Sequence, residues 1–323
     1  MRDPTWMFTQ GPALFLYNET RKWFALGSLF LTPVLLIIDA PFGRFTPQNQ
    51  SSIFVLDGRK AWILMELVSP AMFLYTFITS PLSVRAPSLP AFTEPHAVLA
   101  LCFLLHYLNR ALISPLRTPS RSKTHIIVPM CGVAFNIING SLMGSYLSSP
   151  FARMWLQGPL HTSFYVGLGI WAAGFAGNIY HDEILLNIRR KAMSKGKARQ
   201  GAAEKGEHYA IPQGGLYSLI SYPNYFCEWV EWLGFAIAAS PLPFYLGSPT
   251  LASLPALFNI QLYIDILNSP SQSFFPSLSP PWIFFISEFL LMVPRAYKGH
   301  KWYHSKFKDT YPKDRKAVIP FIL

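Results

Sequence analysis

Asn224, Glu228 and Glu231 stand at i, i+4 and i+7 in the run PNYFCEWVEWLGFA, so one face of a helix carries an amide and two carboxyls. Asn178 and Asp182 are i, i+4 in GNIYHDEILLNIRR, and Arg189 continues that face if the helix runs on. Glu66 lies in AWILMEL, and His106 and Tyr107 lie in LHYLNR. Ionisable groups inside apolar runs of this kind cost roughly 2.5–3.5 kcal/mol each on insertion scales and mark sites by default. An arginine beside amides and acids suits a phosphate-bearing ligand. Metal chemistry is not expected. His181-Asp182 has no second pair at ligand spacing, and Cys102, Cys131 and Cys227 lie far apart in apolar stretches. There is no GxGxxG and no GxxxxGK[ST], which excludes Rossmann and P-loop readings. The run Gln213-Gly214-Gly215 still offers free backbone N–H groups to an anion.

The elements that must position these groups are membrane helices. Of the 323 residues 51% are hydrophobic and only 13% charged, about half the usual charged share, which excludes a disordered chain and an ordinary cytosolic domain. A bilayer core of ~30 Å needs ~20 apolar residues per helix. Seven stretches qualify: 23–40, 61–79, 96–114, 126–147, 159–180, 223–246 and 281–297. The stretch 251–267 is an eighth possibility, read instead as part of a lumenal insert, 247–281, at the interface. The net charge of +11 reads as a topology signal rather than a nucleic-acid signal. Loop 110–125 carries four Lys and Arg, loop 181–213 seven and the tail 295–316 eight, whereas 206–294 has none. The expected fold is an all-α membrane protein with seven transmembrane helices, N-terminus lumenal and C-terminus cytosolic. It forms a single polytopic domain, and the first span stays as an anchor. Segment 192–207 (AMSKGKARQGAAEKGE) reads as a flexible cytosolic linker.

Depth brings the polar groups together. Glu66 lies ~8 Å into span 2 from the cytosolic end, and Tyr107 ~10 Å from the cytosolic end of span 3, so the two can meet. Span 5 ends and span 6 begins on that side too, which points to a cavity open to the cytosol and suited to an anionic cofactor. Asn136 and Asn139 read as interhelical hydrogen-bond partners. Asp182 with Arg189 reads either as part of the site or as a helix-end ion pair. His106 beside Arg110 is left as either solvated or functional, and Glu288 has no assigned partner.

Five stretches are familiar: AWILMEL (61–67), LHYLNR (105–110), GNIYHDEILLNIRR (177–190), IPQGGLYSLISYPNYFCEWVEWLGFA (211–236) and HKWYHSKFKDTYPKDRKAVIPFIL (300–323). They resemble the steroid 5α-reductase family, the membrane 3-oxo-5α-steroid 4-dehydrogenases. PNYFCEWVEWLG combined with YPKDRKAVIPF is the most specific part, and 208–323 is the most family-like region. The resemblance implies a multi-pass enzyme of the endoplasmic reticulum membrane that binds NADPH from the cytosol and takes a lipophilic, steroid-like substrate. The implied reaction reduces the Δ4 double bond of a 3-oxo steroid, with hydride to C5 and a proton to C4. By resemblance, Glu66 and Tyr107 hold the 3-keto oxygen and Trp62 lines the steroid slot. Asn178, Asp182, Arg189, Asn224, Glu228, Arg295 and Tyr303 line the NADPH site.

Several positions depart from the family pattern. Met65 stands where the animal enzymes have Gln, Ala210 where some relatives have Arg, Cys131 where a cation is usual, and Tyr180-His181 in place of a His-Ser pair. The alternative readings are a reductase of another lipid enone or enal, such as a polyprenal or a trans-2-enoyl-CoA, and a non-enzymatic sterol-binding membrane protein. The last has no need of polar faces aligned at one depth.

Overall fold

The structure, a computed structural model, describes residues 11–38, 53–84, 87–118, 122–157, 162–198, 209–243 and 259–323. Among them nine α-helices dominate: α1 (Pro12–Ile37), α2 (Gly58–Thr79), α3 (Pro95–Tyr107), α4 (Ile127–Leu147), α5 (Pro150–Leu156), α6 (Thr162–Ala198), α7 (Pro223–Ala239), α8 (Ile260–Asn268) and α9 (Pro280–Phe307). Proline in the first turn opens α1, α3, α5, α7 and α9, where its fixed φ suits the helix and its missing N–H costs nothing. Asp57 caps α2 by accepting from the N–H groups of Arg59 and Lys60, both at 2.9 Å, and those bonds hold its carboxyl below the usual range. Two short strands, β1 (Val55–Leu56) and β2 (Thr124–His125), pair antiparallel and tie the start of α2 to the start of α4.

Among the described residues four helices are long and apolar enough to cross a membrane: α1, α2, α3 with its continuation to Arg117, and α4. From sequence the fifth span ends at 180, but α6 runs unbroken for 37 residues to Ala198. Hydropathy marks the part of a helix that suits lipid, whereas the backbone bonds continue for as long as the residues favour them. The helix therefore takes in the start of the expected linker 192–207, whose remainder lies outside the described residues. Likewise α9 passes 297 and ends at Phe307, while α7 stops at Ala239, short of the expected 246. Residues 247–258 of the expected insert lie outside the described residues, and the rest holds α8 and a short 3₁₀ turn, Ser271–Ser273.

The helices pair closely: α2 with α4, α6 with α7, and α1 with α9. Small residues permit the first two contacts. A Cβ on Gly140 would overlap the carbonyl of Ser69, and one on Gly144 would overlap Thr76 Oγ1 and the Phe73 carbonyl. On the other pair a Cβ on Gly234 would overlap the backbone N of Trp171. Approach of this kind recruits dispersion where lipid offers no hydrophobic drive. α1 is held by polar contacts as well. Arg21 and Lys22, both buried in α1, donate to backbone oxygens of the segment before α9. Arg21 reaches Phe274 at 2.8 Å and Leu278 at 3.0 Å, and Lys22 reaches Leu267 at 2.8 Å and Ser269 at 2.6 Å.

The α2–α4 contact positions Asn136 and Asn139 against α2, so widening it should matter beyond the local clash. Gly144→Val is expected to destabilise the detergent-solubilised protein by about 3 kcal/mol, the upper end of overpacking costs. Thermal unfolding checks this, and an unchanged Tm would mean the helices are not held at this distance.

Candidate active site

Arg110 is the centre of the polar cluster. It sits in a widened π turn, Leu108–Ile113, that continues α3. Its Nε donates to Glu66 on α2 at 3.1 Å and its Nη1 to Glu228 on α7 at 2.7 Å. Both acids are almost closed off (side chains 6% and 3% exposed), while the Arg110 side chain is 27% exposed, so the open side of the cluster is at the arginine. The guanidinium lies 5.1 Å over the ring of Trp62, and Trp62 Nε1 donates to the Arg110 carbonyl at 3.2 Å. One helical turn earlier, His106 Nδ1 is 2.8 Å from Glu231 and its Nε2 is 3.8 Å from Glu228. Glu288, on α9, makes no hydrogen bond among the described residues but interacts electrostatically with Arg110, Glu228 and Glu66.

Tyr107 has a separate set of partners. Asn139 Nδ2 donates to its hydroxyl oxygen at 3.0 Å and lies 3.4 Å from Ser69 Oγ. The phenol oxygen accepts from Asn139, with the Ser69 hydroxyl as a second neighbour that can give or take a hydrogen. Asn136 Nδ2 donates to the Met65 carbonyl at 2.7 Å, and the Met65 side chain packs against Gly132 on α4. Residue 65 thus faces α4.

A third set runs from Glu228 along α6 and α7. Asn178 Nδ2 donates to the Asn224 carbonyl at 3.0 Å and lies 3.4 Å from Glu228 Oε2, and Asn224 Nδ2 donates to Asp182 at 3.1 Å. Beyond it lie the Gly214-Gly215 loop and the C-terminal tail. Ser221 Oγ is 2.6 Å from both His300 Nδ1 and Tyr311 OH, and its backbone N–H donates to the Lys316 carbonyl at 2.9 Å. Burial, then the nearby His304, Arg315 and Lys316, push His300 down to about 4, so the ring is neutral at neutral pH. Tyr303 stacks on Tyr311 at 5.4 Å. Here three buried polar atoms have no partner among the described residues: Nε and Nη1 of Arg315, and the hydroxyl of Tyr217.

A family model described as 3-oxo-5-alpha-steroid 4-dehydrogenase matches residues 122–246 and 273–323. An uncharacterized protein of Schizosaccharomyces pombe is 35% identical over 95% of this chain and 98% of its own length. The 3-oxo-5-alpha-steroid 4-dehydrogenase 1 of Rattus norvegicus is 32% identical over 88% of this chain and 87% of its own length. The chain belongs to the 3-oxo-5-alpha-steroid 4-dehydrogenase family. The steroid 5-alpha-reductase DET2 of Solanum lycopersicum is 29% identical over 98% of this chain and all of its own length.

Within this steroid-dehydrogenase-family chain, Glu66, Trp62, Asn178, Asp182, Asn224 and Glu228 form one connected network. Tyr107 adjoins it on α3, and Tyr303 lies with the tail. Glu66 and Tyr107 share no hydrogen bond among the described residues; each is held by its own neighbour. Arg189 is exposed and forms no ion pair with Asp182. The pair at that helix end is Arg190–Glu183 at 2.7 Å, with Arg117 on the other oxygen at 2.8 Å. Arg295 is half-buried on α9. From sequence, Arg110 counts only as a loop charge. Its signal was there to read: a cation one turn after His106-Tyr107, at the depth of Glu66 and Glu228. Arg315 and the pairing of His106 with Glu231 were likewise not read from sequence.

Removing the arginine strands two buried carboxylates. Arg110→Met is expected to cost about 3–5 kcal/mol. Arg110→Lys should fall between, because an ammonium cannot reproduce the two-sided fork. Thermal unfolding of the three proteins checks the order, and equal stabilities would refute the central role of Arg110.

Proposed function

We propose that this chain is an NADPH-dependent steroid 5α-reductase that reduces the Δ4 double bond of a 3-oxo steroid. Family membership supports the reaction class. The observation that carries the mechanism is the polarity of the Tyr107 contact: Asn139 donates to the phenol oxygen, so the phenolic hydrogen can be given to a substrate ketone. Reduction at C5 drives negative charge onto the 3-oxygen, and a buried O–H held by helices can stabilise it without reorganising. Glu66, fixed by Arg110, is the second group at the ketone. Trp62, held under the same guanidinium, lines the steroid slot.

The residues fit an NADPH site on the cytosolic side. Asn178, Asp182, Asn224 and Glu228 present amide and carboxyl groups along α6 and α7, with Arg189, Arg295 and Tyr303 as further contacts. The unpartnered donors of Arg315 suit a phosphate-bearing ligand. Bound NADPH supplies the hydride that goes to C5, while C4 takes up a proton.

The proposed setting is the endoplasmic reticulum membrane, with seven spans, the N-terminus and the 247–281 insert lumenal, and the 192–207 linker and the C-terminus cytosolic. The Arg21 and Lys22 contacts support one part of this, since they hold the first half of α1 to the insert on one side. The Arg117–Glu183 pair supports the other part, since it joins the 110–125 and 181–213 regions.

Microsomes holding the protein, supplied with NADPH, are expected to saturate Δ4-3-oxo steroids in preference to polyprenals or trans-2-enoyl-CoAs, with products resolved by mass. NADPH should far outperform NADH, because arginines recognise the 2′-phosphate. Tyr107→Phe should lower kcat by on the order of 100- to 1000-fold at unchanged protein level. Near-normal turnover in that variant would end the ketone-polarising mechanism. For topology, a glycosylation acceptor placed near Ser253 should be modified and one near Gly196 should not; the reverse pattern would invert the proposed orientation.

A further inference from the structure

His181 stands between the α6–α7 network and the glycine loop. Its ring is buried and is fixed at both nitrogens. Nδ1 lies 2.7 Å from the Gly177 carbonyl, one turn back on the same helix, so Nδ1 carries the hydrogen. Nε2 is then an acceptor, and the backbone N–H of Leu216 donates to it at 3.0 Å. Cys227 Sγ on α7 lies 3.7 Å from Nδ1, and the Tyr217 ring meets the imidazole edge-on at 5.7 Å.

The loop that this bond anchors is unusual. Gly214 has φ 98° and Gly215 φ 53°, both in the region that favours glycine. A Cβ on Gly215 would sit 2.7 Å from His181 Nε2, so the glycine also allows the imidazole to approach. The N–H groups of Gly214 and Gly215 make no hydrogen bond among the described residues. Consecutive free N–H groups in such a turn form an anion-binding concavity. Two adjacent glycines are also the residues with the most conformational freedom to lose, so the loop needs an anchor to keep that shape.

We propose that His181 is a positioning residue for the cofactor: through Leu216 it holds the Gln213–Gly215 turn with its N–H groups set to receive a phosphate of NADPH. This rests on the NADPH reading above and adds to it the contact that shapes the turn. Without the Nε2 acceptor the turn samples other shapes, and the apparent affinity falls by the fraction of time the receptive shape is lost.

The test is NADPH binding by the full-length protein in detergent, measured by calorimetry, alongside thermal unfolding without cofactor. His181→Ala should weaken binding roughly three- to tenfold, the worth of one hydrogen bond. His181→Gln places an acceptor at about the distance of Nε2 and should stay within about twofold of the original protein, whereas His181→Asn reaches Gly177 but not Leu216 and should behave like alanine. Rescue by Gln and not by Asn, at matched Tm, is not expected of a merely structural histidine. Should His181→Ala fail to fold, the Gln and Asn variants decide between them. Equal NADPH affinity in the Asn and Gln variants, or in His181→Ala and the original protein, would overturn this proposal alone. No NADPH binding by the original protein would instead remove the cofactor reading on which it stands.

Discussion

A guanidinium held between two carboxylates inside an apolar bundle constrains the rest of this molecule. Glu66, Arg110 and Glu228 come from α2, the π turn after α3, and α7, so three elements must keep one relative placement for the ions to remain paired. Charges withdrawn from water recover their solvation only when geometry and additional hydrogen bonds are good. Here the additional bonds run outward: Glu228 takes Asn178, Asn178 takes the Asn224 carbonyl, and Asn224 takes Asp182. The widened turn at Leu108–Ile113 belongs to the same constraint. It places Arg110 between two helices, and π turns of this kind recur at functional sites.

Such a network needs backbones that approach closely. Gly140 and Gly144 let α4 lie against α2, and Gly234 lets α7 lie against α6. These contacts bring Asn139 to Tyr107 and Asn178 to Glu228. An aromatic layer fills the space between, with Phe103 stacked on Phe73 at 4.3 Å and Trp232 edge-on to Phe284 at 4.6 Å. Small residues and aromatics thus have complementary tasks: the first set the distance between helices, the second fill what that distance leaves.

The two ends of the proposed site are built differently. The ketone end rests wholly on helices, with Tyr107 and Glu66 each held by a side chain from a second helix, which is the arrangement that keeps reacting groups within fractions of an ångström. The cofactor end adds to the faces of α6 and α7 a glycine turn, the 3₁₀ turn Gly215–Ser218 that follows it, and the C-terminal tail. Apart from the faces of α6 and α7, it is pinned at a few points: His181 to Leu216, and Ser221 to His300, Tyr311 and Lys316. A soluble cofactor that must enter and leave between turnovers is suited to the second construction, and a flat apolar substrate in a fixed slot to the first.

Helical periodicity was enough, from sequence alone, to put Asn224, Glu228 and Glu231 on one face and Asn178 with Asp182 on another. Hydropathy was enough to mark the apolar stretches in which the long helices run. Those features depend on residues near one another in the chain. Which face meets which is decided by contacts between distant segments, and a local pattern does not carry that information. Arg110 shows the difference. A charge count assigns it to a basic loop, because such a count registers the sign of a residue and not its partners. Arg189 and Arg190 show it again: adjacent residues of the same kind point about 100° apart on a helix, and only the placement of Glu183 and Arg117 decided that Arg190 would be the one paired. Nor could sequence spacing anticipate that Asn139 would turn its amide to the Tyr107 oxygen. That bond exists because α4 packs where Gly140 and Gly144 allow it to pack.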